Sequence, residues 1–264
     1  MRRRREREFL LVVRQPTPAT TEPSNEWHQL DHRPENLALP GVATGERFVL
    51  TPAGREQATA TGPFEDLHYA NLYWFDDPAD PAIDTWAELA ESTFREGRRP
   101  DIGLLERPFM SFLRRIGGAI APHVRLTPRA VCFRPVSGML LDVRVLAPGL
   151  AREQLHECYR TQLEDVVPAL VDVPGVTSAW SLVSVPDLVP PVWPSREGAA
   201  EDEAAILVTL VAVEDNPSTV LSRLRDSGAP WSETGTESGG ALFRGALEAI
   251  TPWQWDWFDG EATA

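Results

Sequence analysis

Two histidines four positions apart are the clearest candidates for chemistry in this 264-residue chain. At that spacing His28 and His32 share one face of a helix. An imidazole with an ordinary pKa of about 6.5 can donate or accept a proton at neutral pH, as a general acid or base must. Asp31 could orient one of the rings. The structural alternative is that His32 bonds a backbone carbonyl at the helix end and that His28 is exposed.

A second polar group lies on a predicted strand at residues 67–75. Alternation along that strand places Tyr69, Asn71, Tyr73 and Phe75 on one face. Two phenols and an amide on one face are typical of a pocket lining, although buried tyrosines with bonded hydroxyls are also common in cores. The predicted substrate-binding residues are Trp27, Asp31, Tyr69 and Asn71, beside the predicted catalytic residues His28, His32 and Tyr73.

Composition excludes several kinds of site. The 25 basic residues are all arginines, so lysine nucleophiles and Schiff bases are excluded. The net charge of −14 argues against a nucleic-acid or anionic-membrane partner. No apolar run approaches the roughly 18 residues of a spanning helix. Cys132 and Cys158 show neither metal-ligand nor disulfide spacing, which favours a reduced, cytoplasmic protein.

Metal and nucleotide chemistry find little support. The spacing of His28 and His32 could begin a zinc site, but zinc needs at least a third ligand and no second ligand pair is visible. We therefore predict no metal. No P-loop and no G-x-S-x-G elbow is present.

Turn residues repeat through the chain with a spacing of 134 positions. The recurring residues are Pro34, Pro40, Gly41 and Val42, matched by Pro168, Pro174, Gly175 and Val176. The helix start at Asp80-Pro81 reappears 136 positions later as Asn216-Pro217. This pattern predicts an internal duplication in which each half is a ferredoxin-like βαββαβ unit.

The predicted units are residues 8–136 and 137–258, between a disordered basic tail at 1–7 and a second tail at 259–264. The fourth strand is expected at 130–135 in the first half and between 241 and 257 in the second, where Trp253, Trp255 and Trp257 alternate. Helical spacing of apolar residues predicts a helical insertion at 96–127. Residues 186–202 and 227–240 are predicted loops. Each sheet would have helices on one face only, so pairing the bare faces gives an α+β fold that closes into an intramolecular α/β barrel.

The stretch EWHQLDHRP at residues 26–34, followed by ALPGV at 38–42, resembles the WH…H-x-P…LPG signature of EthD-like proteins. These belong to the dimeric α/β-barrel superfamily. The resemblance implies a barrel of two ferredoxin-like units, normally from two chains and here from one, so the protein would be a monomeric pseudo-dimer or a homodimer. Similar proteins include polyketide cyclases, cofactor-free monooxygenases, isomerases, dehydratases and haem enzymes.

These observations predict a cofactor-independent enzyme of specialised, polyketide-like metabolism. His and Tyr acid–base catalysis would drive cyclisation, dehydration or isomerisation of a small apolar or aromatic substrate. In the 134-residue alignment His28 corresponds to Gln162 and His32 to Val166, so the first half should carry the site. Two alternatives remain: a non-catalytic barrel that binds a ligand or partner, and a haem-dependent enzyme.

Overall fold

The strands and helices described below come from a computed structural model, which describes residues 7–14, 21–99, 106–184, 205–230 and 238–258. Within these ranges the strands are β1 (Arg7–Arg14), β2 (Val42–Val49), β3 (Thr59–Ala60), β4 (Tyr69–Phe75), β5 (Glu106–Ile120), β6 (Gly138–Leu146), β7 (Val176–Ser184), β8 (Ile206–Val213) and β9 (Ser238–Ala249). The helices are α1 (Thr21–Trp27), α2 (Arg33–Leu37), α3 (Pro52–Gln57), α4 (Asp80–Arg95), α5 (Arg152–Thr161), α6 (Val167–Val171) and α7 (Pro217–Ser227).

One continuous helix runs from α1 to α2 through a π-helical turn at His28–His32. The N–H of Arg33 bonds the carbonyl of His28, five residues back, immediately before Pro34. Because proline cannot donate to the helical ladder and clashes with the preceding turn, the wider π turn suits this position. We call this whole element, residues 21–37, the first long helix.

The second half repeats that helix in detail. A π-helical turn at Gln162–Val166 joins α5 to α6, and the N–H of Val167 bonds the carbonyl of Gln162. Both long helices are followed by a glycine with positive φ, +86° at Gly41 and +91° at Gly175. L side chains avoid that backbone region, which explains why glycine stands in the turn after each long helix.

The strands form one sheet in the order β2-β4-β1-β5-β7-β8-β6-β9, with β3 beside β9. The first half contributes β2-β4-β1-β5 and the second half contributes β7-β8-β6-β9, which is the same order of corresponding strands. The two ferredoxin-like units are joined edge to edge. β5 pairs with β7 from Leu113 opposite Ser184 to Ile120 opposite Ser178. At the other edge, Phe48 and Val49 of β2 pair with β9 and close the barrel. The predicted α+β barrel of two ferredoxin-like units is confirmed.

The inside of the barrel is apolar and shared by both halves. Leu72 and Trp74 of β4 belong to the same cluster as Trp180 of β7, and the two indole rings lie 5.4 Å apart. Outside the barrel, the helices cover the sheet. In the second half this outer layer is largely aliphatic, as at Val211 and Leu221.

The predicted helical insertion at 96–127 is wrong for residues 106–120, which form β5. Phe109 and Leu113 face the barrel interior, whereas Phe112 packs in the outer cluster beneath the helices. A strand that is buried on both faces has apolar residues at odd and even positions alike. Some of these residues then fall three or four positions apart, which is also the spacing of an amphipathic helix. The predicted fourth strand at 130–135 is therefore also wrong, and a 3₁₀ turn occupies Val131–Phe133.

The tryptophans near the end of the chain do not form a strand. β9 ends at Ala249, and Trp253 lies beyond it in a turn, with φ of +70° and 71% exposure. Trp257 is half-buried, with its ring centre 6.5 Å from that of Tyr69. The three indoles therefore do not share one strand face.

Some predictions fall partly or wholly outside the described residues. These are the tails at 1–6 and 259–264, the loop at 186–202 and residues 231–237 of the second loop. Arg7, placed in the tail, begins β1, and Ser238 begins β9 within the second predicted loop. The unit boundary at 136/137 stays a prediction. Among the described helices, none is long and apolar enough to cross a membrane.

Candidate functional site

A group of buried polar side chains lies between the first long helix and the outer face of β2 and β4. We call it the first-half polar layer; its members are Asn25, His28, Asn36, Arg47, Tyr69, Asn71 and Tyr73. The least buried member, His28, is only 8% exposed. Alternation along β2 and β4 turns Arg47, Asn71 and the tyrosines toward the helix, while their strand neighbours face the barrel interior.

The two phenols of this layer are held by amides from the helix. Asn25 Nδ2 donates to the Tyr69 hydroxyl at 2.9 Å, and Asn36 Nδ2 donates to the Tyr73 hydroxyl at 3.1 Å. The Arg47 guanidinium carbon lies 4.0 Å from the centre of the Tyr69 ring, in a cation–π contact. Helix and sheet are thus tied together by polar contacts where the second half uses mainly aliphatic ones.

The two imidazoles lie on the π turn beside this layer. Their ring centres are 5.4 Å apart, and the His32 ring stacks on Trp27 at 4.6 Å. Nε2 of His32 lies 3.2 Å from Nδ2 of Asn36, the same amide that bonds Tyr73. Asn36 therefore links His32 to the Tyr73 phenol.

Burial sets the protonation states in the layer. It lowers the pKa of His28 well below its ordinary value, and the positive charges of Arg47, His32 and Arg33 lower it further. Burial also raises the pKa of Tyr73 to about 12 and lowers the pKa of Arg47 to about 10. At neutral pH the layer therefore contains a neutral imidazole, a neutral phenol and a charged guanidinium.

Several buried atoms of the layer have no hydrogen-bond partner among the described residues. They are Oδ1 of Asn25, Asn36 and Asn71, Nδ1 of His28, and Nε and Nη1 of Arg47. A buried polar atom left unpaired costs about 1–3 kcal/mol. Several unpaired donors and acceptors in one layer indicate a binding site for a ligand that carries the complementary hydrogen-bonding groups.

The corresponding layer of the second half is self-satisfied, in that its polar side chains hydrogen-bond one another. By strand pairing and helix position, His28, Arg47 and Asn71 correspond to Gln162, Ser181 and Thr209. Both hydroxyls lie 3.4 Å from Oε1 of Gln162, to which they donate. The unpaired atoms are thus a property of the first half and not of the fold.

An open cleft lies on the other side of the π turn, with a volume of about 430 Å³. Its lining is Trp27, Leu30, Asp31, His32, Pro34, Glu35, Thr93 and Arg98. Trp27 Nε1 donates to the Arg98 carbonyl at 2.9 Å, which fixes one wall. Because His32 lines this cleft and contacts the His28 ring, it lies between the cleft and the polar layer.

The predicted site residues therefore separate into two neighbouring groups. His28, Tyr69, Asn71 and Tyr73 lie in the polar layer, and Trp27, Asp31 and His32 line the cleft. The structural alternative that left His28 exposed is wrong, because the side chain is buried against the sheet.

Sequence reasoning missed Asn25, Asn36 and Arg47. Asn36 continues the four-residue spacing of His28 and His32, so the helical pattern could have indicated it. Arg47 stands in a strand whose neighbours Phe48 and Val49 are buried, and a charged residue at such a position was the available signal.

The two imidazoles of the π turn are poorly placed to ligate haem or a metal ion. In the described part of the chain, no group of three His, Cys, Asp or Glu side chains could hold a metal. The buried imidazole, His28, lies in the field of the Arg47 cation, which opposes a second cation beside it. His32 Nε2 is already placed against Asn36. We therefore derive no chemistry through either group.

Stability should depend on pH through His28. Below about pH 6.5 the unfolded imidazole binds a proton that the folded one, with its lowered pKa, does not. The free energy of unfolding should therefore fall as pH drops below 6.5, by up to about 1.4 kcal/mol per unit from this group. His28→Gln, which supplies the residue of the second half, should remove this part of the slope. Urea unfolding at pH 7.5, 6.5 and 5.5 measures it; equal slopes in both proteins would contradict the assignment.

Gly45 makes room for the Tyr73 ring. A Cβ at position 45 would lie 2.3 Å from two ring carbons of Tyr73, and the corresponding pair in the second half is Ala179 and Val211. Gly45→Ala should therefore cost about 1–3 kcal/mol of stability through overpacking. The double variant Gly45→Ala/Tyr73→Val should recover part of that loss. A double-mutant cycle by urea unfolding tests this coupling, and strictly additive effects would refute it.

Comparison with known proteins supports the fold. No protein-family model and no curated protein matches the chain. Among solved structures, a candidate monooxygenase from Fusobacterium nucleatum subsp. nucleatum is similar, with a TM-score of 0.54 at 8% identity over 93% of each chain. A candidate monooxygenase from Lactobacillus acidophilus gives 0.51 at 8% identity over 93% of this chain and 98% of its own.

A third similar structure is a candidate chlorite dismutase, with a TM-score of 0.50 at 12% identity over 98% of this chain and 100% of its own. At such identities the similarity shows the fold alone. The specific likeness to EthD-like proteins stays a prediction. The chain has the ferredoxin-like α/β-barrel fold that these monooxygenase-like and chlorite dismutase-like proteins share.

Proposed function

We propose that this protein is an enzyme that moves a proton on a small carbonyl compound, with His28 as the general base. The observation that carries the proposal is a buried imidazole whose Nδ1 has no partner among the described residues. Its lowered pKa keeps it neutral and able to accept a proton at pH 7. A cation, Arg47, lies near enough to affect its charge and can stabilise negative charge formed on a substrate.

The reaction begins with removal of a proton from the carbon beside a carbonyl group. His28 takes that proton, and the electron pair of the C–H bond moves to the carbonyl oxygen to give an enolate. Arg47 stabilises the oxygen's negative charge, and the amide of Asn71 or the phenol of Tyr73 positions it. In an isomerisation of an unsaturated carbonyl compound, the double bond shifts and the proton returns from His28 to another carbon. In a cyclisation, the enolate carbon attacks a second carbonyl group of the same molecule, and the alkoxide that forms takes the proton from His28.

His32 serves as the link to solvent in this scheme. Its ring lines the open cleft and contacts the His28 ring, so it can exchange protons between solvent and the buried base. Trp27 and Asp31, which also line the cleft, would hold the part of the substrate that remains outside the layer. π-helical turns occur often at functional sites, and this one carries both imidazoles, with His28 buried and His32 lining the cleft.

The substrate class we propose is a small aromatic or polyketide-like molecule, and the chemistry needs no cofactor. Aromatic side chains line both the layer and the cleft, which suits a flat, partly apolar ligand. Dehydration follows the same first step when the carbon next to the enolate bears a hydroxyl group. The enolate then expels hydroxide, which takes the proton from His28 and leaves as water.

Solvent deuterium exchange tests the proposal without knowledge of the natural substrate. Small aromatic 1,3-dicarbonyl compounds are incubated with the protein in D₂O, and loss of the carbon-bound proton signal is followed by NMR. Exchange of at least one compound should exceed that with heat-denatured protein. If the folded protein binds these compounds but catalyses no exchange, the non-catalytic ligand-binding barrel replaces the enzyme.

A further inference from the structure

Arg47 is a buried cation without a carboxylate partner among the described residues. It is 3% exposed, and Nε and Nη1 have no hydrogen-bond acceptor there. Burial lowers the pKa of Arg47 to about 10, and the opposing effects come from the phenols of Tyr69 and Tyr73 and from no described carboxylate. The nearby carboxylate of Glu46 is instead 2.8 Å from Nη2 of Arg33. Burying an unpaired charge is costly, so a guanidinium that is uncompensated within the described residues is a candidate site for an anionic ligand.

The second half contains a buried arginine that is paired with a carboxylate, for comparison with Arg47. Arg144 is also buried, and its Nε donates to Oδ2 of Asp142 at 2.9 Å. The other oxygen, Oδ1, accepts from Nε of Arg244 at 3.2 Å. Here the counter-ion is built in, which is the arrangement that Arg47 lacks.

The acceptors around Arg47 indicate a second requirement of the occupant. Asn71 lies opposite Arg47 in the pairing of β2 with β4, yet its Oδ1 has no donor among the described residues, as is also true of Asn25 and Asn36. An anion alone would satisfy the guanidinium but would leave these amide oxygens unpaired. The occupant should therefore also carry a hydrogen-bond donor.

We propose that the first-half polar layer binds a small carboxylate that also carries a hydroxyl group, Arg47 holding the carboxylate and an asparagine oxygen accepting from the hydroxyl. Guanidinium N–H groups match carboxylate oxygens in geometry and charge. The inference rests on the proposed function, because it names the substrate class of the same site. It narrows that class to a carbonyl compound that also carries a hydroxyl and an acid group. The two unpaired nitrogens of Arg47, Nε and Nη1, would then serve the carboxylate and the enolate oxygen.

Salicylate and its neutral isostere salicylamide test the proposal by isothermal titration calorimetry and by melting temperature. Salicylate should bind the wild-type protein and raise its melting temperature, whereas salicylamide should bind at least about 10-fold more weakly. Arg47→Gln should weaken salicylate binding by about 10- to 100-fold, the usual range for a lost charge-assisted hydrogen bond. Equal binding of the two probes, no binding of salicylate, or unchanged binding by the variant would overturn the proposal.

Stability separates ligand binding from a structural role. Without ligand, Arg47→Gln should melt at or above the wild-type temperature, because the variant no longer buries an unpaired charge. A merely structural Arg47, acting through its stacking on Tyr69, predicts a lower melting temperature and no selective loss of salicylate binding. If Arg47→Gln fails to fold, Arg47→Lys keeps the charge but loses the planar fork; weaker salicylate binding then supports the proposal, and unchanged binding refutes it.

Two further variants complete the design. Arg144→Gln, the matched control, should lower stability and leave salicylate binding unchanged, since Arg144 already has its partner Asp142. His28→Gln should lose deuterium exchange and should weaken salicylate binding less than Arg47→Gln does, because glutamine keeps a hydrogen-bonding group but removes the base. Salicylate binding that depends on Arg47, without any exchange, would support this inference and end the enzyme proposal. Deuterium exchange that depends on His28, together with salicylate binding that does not depend on Arg47, would support the enzyme proposal and overturn this inference.

Discussion

Replacing His28 with glutamine is expected to lower the rate of catalysed deuterium exchange by about 10²- to 10⁴-fold, the usual contribution of a general base. Glutamine can fill the space and hydrogen-bond, as Gln162 does at the corresponding position, but it cannot accept the proton. Proton NMR in D₂O measures the rate. Because the lowered pKa keeps the imidazole neutral, the wild-type rate should stay level between pH 6.5 and 8.

His156 provides a matched control for this substitution. It is an exposed histidine on α5 in the second half, so His156→Gln should leave the exchange rate unchanged. His32→Gln should reduce the rate less than His28→Gln, because solvent can replace a proton relay more easily than a base. An exchange rate that survives in His28→Gln would show that another group removes the proton.

Removing the carboxylate of Asp142 is expected to cost about 3–5 kcal/mol of unfolding free energy, the usual effect of leaving a buried charge without its partner. Asp142 is 1% exposed and accepts hydrogen bonds from Arg144 and Arg244. Asp142→Ala would deprive the buried Arg144 guanidinium of the carboxylate that faces it at 2.9 Å. Urea unfolding followed by circular dichroism measures the loss.

A double variant shows whether the cost comes from charge or from packing. Asp142→Leu/Arg144→Met replaces the buried pair with apolar side chains and should recover most of the stability lost in Asp142→Ala. If Asp142→Ala costs less than about 1 kcal/mol, the pair behaves as a surface salt bridge and the burial argument fails.

Local signals in the sequence were sufficient for elements that local contacts define. The start of the helix at Pro217–Ser227 was predicted from Asn216-Pro217. In the structure the Asn216 side chain accepts a 3.1 Å bond from the Thr219 N–H, and Gly228 ends the helix with φ of +63°. The repeated turn residues likewise predicted two ferredoxin-like units, and the closed sheet confirms that fold.

β5 was missed because its pattern depends on partners far away in the sequence. It is buried on one side by the barrel interior and on the other by the helices, so neither face needs polar residues. Arg47 was missed for a related reason: a strand residue reveals a buried charge only when the face it occupies is known. The sequence indicated which side chains can carry out acid–base chemistry, whereas the three-dimensional structure was needed to find which of them lie together.

Joining both halves of the barrel in one chain changes what substitutions can accumulate. In a barrel of two identical chains, every residue occurs twice, so an unpaired arginine such as Arg47 would destabilise both sides. Here each half carries its own residues at corresponding positions. The self-satisfied layer around Gln162 and the aliphatic cluster above it can stabilise the fold while the first half retains unpaired polar atoms. Under the proposed function, one barrel then has one ligand site per chain, and the second half serves as its scaffold.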